Sequence, residues 1–438
     1  MQRMLMEKLI EWKDAAYKKP LLLQGVRQCG KTFLLKAFGE RYYKDVVYFD
    51  FEEDSRLADF FESSLEPDRI IKDLSVYRDK DINPEITLII FDNVQACGKV
   101  IESFKFFCDE APEYHIAAAG TFLDLRTHHN SAVPAGKAEI MTLFPMNFYE
   151  FLLAQNAMLA MHLKESSFRG DALRTFKNQL EEKFNDYRIV GGMPEVVQSW
   201  IDNKSIEAVD KLQMQIIKGY ENDFARNAPI SMFPKLTAIW NAVPAQLAKE
   251  NRKFFFSKLK KSWRAKDLED ALYWLIRAGL VYKVEHIEKP GLPLSGNANQ
   301  THFKLYMCDV GLLRCTARFP SSVVLDKSAD FKEIKGAIAE NIICCELMRL
   351  YEQELYYWSA ENPGRAEVEF IVQDGSEIIP IEVKAGNASR ARSLLQYNIR
   401  FNPKKSVLTS MDNDKEDILP LYAFWNLKEW LNKKQKKE

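Results

Sequence analysis

Few features of this chain commit it to one class of partner, and several are missing outright. Its 61 lysines and arginines nearly balance 62 aspartates and glutamates, leaving a net charge of −1. No global field therefore draws it to nucleic acid or to acidic membranes, and any basic surface has to be local. Seven cysteines occur, at positions 29, 97, 108, 308, 315, 344 and 345, an odd number without a Cys-x-x-Cys pair. This argues against a disulfide framework or a zinc site and fits a reducing, cytoplasmic setting. No uninterrupted apolar run approaches the ~20 residues that span a bilayer, and Met1 to Lys13 mixes charge into its apolar positions instead of forming a signal-peptide core. No membrane association is expected. There is no internal repeat and no low-complexity linker, and the charge run Lys433 to Lys437 reads as a frayed helix end.

What is present is globular. Hydrophobic residues make up 47% and aromatics 12% of 438 residues, too long a chain for one typical core, so two or three domains are expected. The stretch Gly25-Val26-Arg27-Gln28-Cys29-Gly30-Lys31-Thr32 fits Gly-x-x-x-x-Gly-Lys-[Ser/Thr] at every fixed position. It follows the apolar run Leu21 to Leu23 and precedes a helix beginning near Phe33, the strand–loop–helix context that a P-loop needs. The glycines let backbone N–H groups turn inward around a phosphate, and the helix start adds partial positive charge. Lys31 is expected to reach the β and γ phosphates of ATP, and Thr32 to hold Mg²⁺. A plain glycine turn has no need of the Lys-Thr pair.

Residues 1–20 read as a helix with Leu5, Leu9, Ile10 and Trp12 on its apolar face, and Val46 to Asp50 as a second strand. Thr87-Leu88-Ile89-Ile90-Phe91-Asp92 is an apolar run of the kind buried on both faces of a sheet, ending in a carboxylate. Asp92 is the expected second Mg²⁺-holding residue. Asn93 follows it, where a Glu would orient and deprotonate the attacking water. An amide orients water but takes no proton at neutral pH, so binding is expected to survive and hydrolysis to be slow. A further strand, Ile116 to Ala119, ends at Gly120-Thr121, and the Thr121 hydroxyl is either a sensor of the γ phosphate or a simple strand exit.

Gly25 to Thr32, Phe91-Asp92-Asn93-Val94-Gln95, Gly120-Thr121, Phe144-Pro145-Met146-Asn147-Phe148-Tyr149-Glu150-Phe151 and Gly191-Gly192-Met193-Pro194 together resemble prokaryotic AAA-type ATP-binding proteins. Those proteins carry a C-terminal nuclease-like domain of unknown function. The family's strand ends in Asp-Glu and its sensor in Gly-Ser, so Asn93 and Thr121 are departures. Its Ala-Gly-Arg is Ala135-Gly136-Lys137 here, which removes the arginine. Gly192 and Pro194 resemble a Gly-x-Pro element that closes over adenine in related signalling ATPases; a helix-breaking turn is the alternative.

Residues 151–228 are helix-rich and suit a helical lid, with Leu152, Leu159, Leu163, Leu212, Ile216 and Ile217 as core. Over 229–315 the order of three helices, strand, Pro290-Gly291 turn and strand is that of a winged helix. The resemblance continues there through Asp267-Leu268-Glu269-Asp270-Ala271-Leu272 and Asp309-Val310-Gly311-Leu312-Leu313. Before its third helix, Arg252, Lys253, Lys258, Lys260, Lys261, Arg264 and Lys266 occur without an intervening acid. Were these bases on one face they would contact DNA phosphates; a solvated basic face over Phe254 to Phe256 and Trp263 is the alternative.

Over 330–438, Glu367 to Gln373, Asp374-Gly375 and Ser376 to Lys384 read as a hairpin with a two-residue turn. Counting from that turn pairs Glu367 with Glu382, sets Glu369 diagonal, and puts Lys384 on the face of Glu382. Like charges so placed call for a cation, which makes the group a candidate Mg²⁺ site, with a charged outer hairpin face as the alternative. With Glu340, the set resembles the PD-(D/E)xK nuclease core, which implies Glu340, Glu369 and Glu382 as metal ligands and Lys384 as a stabiliser of the reacting phosphate. Glu369 stands where that family has Asp, and the extra methylene moves its carboxylate by roughly 1.5 Å.

The expected fold is thus α/β: a P-loop AAA-type parallel sheet over 1–150, a helical lid, a winged helix, and a restriction-endonuclease-like α/β domain. The function expected is a slow ATPase or nucleotide switch with ATP and Mg²⁺ as ligands. Two alternatives remain open: an ATP-controlled nuclease meeting DNA through residues 252–266 and the C-terminal domain, and an ATP-bound scaffold for a protein partner, with both catalytic centres decayed.

Overall fold

The computed structural model describes residues 1–121, 133–166, 175–249, 252–260, 262–263, 265–326, 331–360, 366–386, 391–411 and 417–435. Lys261 and Arg264 of the basic stretch lie outside these, as do the last residues of the C-terminal charge run. The chain divides into two compact units, Met1–Pro145 with Arg277–Gly279, and Met146–Ile276 with Leu280–Glu438. Among the described residues no helix is long and apolar enough to cross a membrane.

The first unit is built on five parallel strands: β1 (Leu21–Gly25), β2 (Asp45–Asp50), β3 (Thr87–Asp92), β4 (His115–Thr121) and β5 (Glu139–Thr142). Their spatial order is β2-β3-β4-β1-β5. Every residue of β3 is buried, as is β4 up to Gly120, because helices cover both faces of a parallel sheet. The helix Pro67–Arg78 starts on a proline, whose missing N–H is no loss in a first turn, and buries Ile70, Ile71 and Leu74. With Phe49, Phe61, Phe91, Phe104 and Phe107 these belong to a core on one side of the sheet. The expected first helix is shorter than its sequence span, Leu5–Asp14, and buries Leu9 and Trp12. β4 stands between β1 and β3, with Gly25 level with Thr121, and Asp50 level with Asp92. All four positions therefore lie at the carboxyl ends of the strands, the edge where open α/β sheets bind ligands.

The second unit opens with helices, among them Phe148–Gln155, Lys177–Val190, Pro194–Asn203, Ile206–Asn227 and Phe233–Leu247, and continues into a seven-stranded mixed sheet. Its strands are β6 (Val281–Ile287), β7 (Ala298–Met307), β8 (Leu355–Ser359), β9 (Glu367–Asp374), β10 (Glu377–Val383), β11 (Val407–Ser410) and β12 (Ile418–Pro420), in the order β12-β11-β10-β9-β8-β6-β7. β6 and β7 form the antiparallel hairpin expected of a wing, but it is not free-standing. β6 also pairs in parallel with β8, from Val284↔Leu355 to Ile287↔Trp358. The boundary expected between 315 and 330 thus falls inside one sheet, since β8 supplies partners for the polar backbone edge that β6 would otherwise expose. The expected lid helices are tied to this same unit: the Gly192 N–H donates to Asp309 Oδ2 at 2.6 Å, and Asp309 Oδ1 caps the helix Val310–Ala317 through Leu312 N–H.

The β9–β10 hairpin corrects the sequence register. Asp374 pairs with Glu377, so the turn residues are Gly375 and Ser376, and the ladder runs to Phe370↔Ile381. Gly375 has φ +60°, as a two-residue turn with glycine at its first central position requires. One further step along the ladder puts Glu369, in place of Glu367, across from Glu382.

Candidate functional site

In the first unit, Gln28 (φ 63°) and Gly30 (φ 95°) bend the loop after β1 into the left-handed region. Alternation of this kind turns successive N–H groups to one side and makes an anion-binding hollow. Lys31 opens the helix Lys31–Tyr42, and its Nζ donates to the carbonyls of Gly25 at 3.2 Å and Val26 at 2.9 Å. The ammonium is thereby held over the loop. Thr32 Oγ1 donates to Asp92 Oδ2 at 2.6 Å across 60 residues of sequence, so the two expected Mg²⁺-holding oxygens are already side by side. Arg3, which sequence reading passed over, donates to the carbonyls of Cys29 at 2.8 Å and of Phe144. It pins the loop to the chain leaving β5. Cys29 is buried and its thiol faces the Leu143 carbonyl. Thr121 closes β4 between Gly25 and the Asp92 strand. Arg27 is exposed at the loop's crest.

Around Asp92 the structure adds residues the sequence did not single out. Tyr48 Oη lies 3.0 Å from both Asp92 Oδ2 and Asp50 Oδ2, and having one proton it donates to one at a time. Burial and the two carboxylates push this phenol's pKa far up. Asn93 is left-handed, φ 54°, a conformation Asn adopts at little cost. Its Nδ2 donates to both Asp50 oxygens at 3.0 and 3.1 Å, while Gln95 Nε2 donates to its Oδ1 at 3.3 Å, which sets the amide's orientation. Burial pushes the Asp50 carboxyl up, but Asn93, the N–H groups of Glu52 and Glu53, and Tyr48 outweigh it and hold it below the usual range.

The second unit also brings its expected residues together. Glu340 is buried on the helix Lys332–Tyr351, and Glu369 and Glu382 are buried on β9 and β10. Glu369 accepts from Val383 N–H at 3.0 Å, and Glu382 accepts from Leu394 N–H at 2.7 Å and pairs with Lys384 at 2.6 Å. Two further cations are present. Arg252, from the basic stretch, is ion-paired with Glu340. Lys304 of β7, 0% exposed, pairs with Glu367 at 2.6 Å and lies 3.9 Å from Glu340. Tyr306 donates to Glu340 at 2.9 Å. Burial raises the Glu369 pKa against the pull of Lys384 and Lys304. Among the described residues no group of carboxylates is arranged to hold a metal. Three of the chain's own cations, Arg252, Lys304 and Lys384, already lie against the four glutamates and offset most of their charge. The described bases of this stretch do not share one face. Arg252 points inward, Lys258 and Lys260 lie over Phe255 and Trp263, and Phe254 joins β7 through Phe303.

Comparison with known proteins bears on the first unit most directly. Residues 17–152 match the family model described as an AAA domain. Residues 181–322 match a domain of unknown function, DUF8612, and residues 335–426 another, DUF4143. Residues 17–152 are thus an AAA-type P-loop domain, a class that implies a nucleotide and commonly Mg²⁺. An uncharacterized protein of Methanocaldococcus jannaschii is 21% identical over 92% of this chain and 87% of its own length. Among solved structures, a Walker-type ATPase of Pyrococcus abyssi is 14% identical, covering 71% of this chain and 94% of that one at a TM-score of 0.43. The Thermotoga maritima RuvB Holliday junction branch migration motor is also 14% identical, covering 66% and 90% at 0.29. The Aeropyrum pernix Orc1 protein, solved with DNA, is 11% identical, covering 73% and 93% at 0.28.

Proposed function

We propose that this chain binds ATP with Mg²⁺ at Gly25–Thr32 and Asp92, and acts as a nucleotide switch that turns ATP over slowly. The observation that carries the reading is the 2.6 Å bond from Thr32 to Asp92 beneath a loop whose lysine sits over its own carbonyls. The loop N–H groups and Lys31 would take the phosphates, and Thr32 and Asp92 the metal. When bound, Mg²⁺ neutralises charge on the phosphate oxygens. Thr121, at the end of the intervening strand, is in place to meet the terminal phosphate. Titration of the whole chain with a fluorescent ATP analogue tests this: saturable, Mg²⁺-dependent binding is expected, and its absence in folded protein refutes it.

For the second unit we propose a binding role that does not cut DNA. Arg252 and Lys304 neutralising Glu340 and Glu367 support it. Incubation of plasmid DNA with the chain, Mg²⁺ or Mn²⁺, and ATP is expected to leave the DNA intact; cleavage lost in Glu382→Ala would establish a nuclease instead. DNA contact through Lys253, Lys258, Lys260 and Lys266 stays part of the proposal, read by the salt dependence of any gel shift.

A further inference from the structure

The carboxylate that an AAA-type site needs beside its attacking water is missing after Asp92, where Asn93 stands. We infer that Asp50, at the end of β2, supplies it, with Asn93 as its positioning residue. The inference rests on the nucleotide reading above and says which side chain performs the hydrolytic step.

Three observations converge. Asp50 is level with Asp92 on the adjacent parallel strand, so both carboxyl groups leave the sheet at the same edge. The two carboxylates lie on either side of the Tyr48 hydroxyl, each at 3.0 Å, so one side chain separates Asp50 from the group that also accepts from Thr32. Asn93, the residue standing where the family has its Glu, spends its amide on Asp50 through two bonds of 3.0 and 3.1 Å. The acid and the amide thus face one another from adjacent strands, with the charge on β2 and the amide after β3. Asn93 is left-handed, a conformation in which Asn and Asp are tolerated and Glu is strained. The local backbone thus disfavours Glu at 93, and the acid stands on the neighbouring strand. Asp50 is half-buried. With its oxygens fixed by the Asn93 amide, Asp50 is suited to orient a water in a loose phosphoryl transition state that demands little proton abstraction before the P–O bond breaks. In the step itself the water oxygen bonds to phosphorus, the bond to the ADP oxygen breaks, and the proton leaves to phosphate or solvent.

The test uses the full chain and three readouts: affinity for a fluorescent ATP analogue, single-turnover phosphate release, and trapping of ADP with aluminium fluoride. Asp50→Asn is expected to keep affinity, to slow release by about 100-fold, and to lose trapping. The double variant Asp50→Asn, Asn93→Asp returns the carboxylate across the same hydrogen bond, and is expected to recover at least about tenfold of that loss and to trap again. A merely structural Asp50 would lower the melting temperature with release unchanged, and would not be rescued by the transposition. That result overturns the inference while the nucleotide reading stands. Wild-type protein that binds ATP and releases no phosphate overturns it as well. Folded protein without affinity for ATP removes both.

Discussion

Around Gly25–Thr32 the chain gathers donors, loop N–H groups and one ammonium, and reaches a carboxylate only at Asp92 through Thr32. Around Glu382 it gathers acceptors and then neutralises them itself with Arg252, Lys304 and Lys384. The first arrangement leaves its donors on a loop, as the proposed nucleotide site requires; the second carries most of its own counter-charge. Clusters of motif residues thus differ in kind according to how much of their charge is offset internally. A motif count does not reveal this, since each site presents its expected residues.

The contrast is broken most forcefully at Arg252. Arg252→Ala removes the guanidinium paired with buried Glu340 and leaves it Tyr306 at 2.9 Å and Lys304 at 3.9 Å; the loss is expected to cost about 3 kcal/mol, read as a fall in denaturation midpoint. The double variant with Glu340→Gln is expected to lose less than Arg252→Ala alone, since the unpaired charge is gone. An Arg252→Ala protein as stable as wild type would mean the cluster is not internally balanced. On the other side, Lys31→Ala is expected to weaken Mg-ATP binding by roughly 100-fold, about 3 kcal/mol, with the melting temperature little changed. A large stability loss instead would make Lys31 a structural residue and the two sites alike.

A third test uses pH within the second unit. Burial raises Glu346 from 4.5 to about 7, against Arg349 and the Asn147 amide, and Asp309 from 3.8 to about 6, against the N–H groups of Gly192, Leu312 and Gly311. An acid whose pKa is raised by folding helps the folded state fully below its unfolded pKa. That help is lost as pH rises through the folded value. Melting temperature is therefore expected to fall between pH 5 and 8, more steeply in wild type than in Glu346→Gln; parallel profiles would show that Glu346 is not the group involved. The smallest effect is expected at the turn that sets the cluster's register. Gly375 is left-handed with open space where a Cβ would go, so Gly375→Ala is expected to cost only about 1–2 kcal/mol of backbone strain. A larger loss, measured by denaturant unfolding, would mean the register of Glu369 against Glu382 had shifted.

Much of this was legible in the chain. The loop Gly25–Thr32, the strand Thr87–Asp92 and the helix after the loop follow from residues adjacent in sequence, because glycine conformations, apolar runs and helix starts are local properties. Glu369 and Glu382 were named by counting along the hairpin, Glu340 from the resemblance to the PD-(D/E)xK core, and Asp92 as the carboxylate ending an apolar strand. Missed were Asp50, Tyr48, Arg3 and Lys304, each an ordinary polar residue with no motif around it. A strand ending in Asp, repeated at Asp50 and Asp92, was the one signal that pointed toward Asp50.

Sequence alone, then, determined the P-loop pattern Gly25–Thr32, the buried strand ending at Asp92, the existence of the hairpin and the absence of a long apolar span. Only the tertiary structure decided that Asn93 faces Asp50 across 43 residues, that Arg252 turns into the glutamate cluster, and that β6 continues the C-terminal sheet. It also moved the turn by one residue and so chose Glu369 as the partner of Glu382. The physical reason is that backbone preference is set by neighbours along the chain. Charge pairing and strand partnership are set by which distant segments the topology brings within a few ångströms.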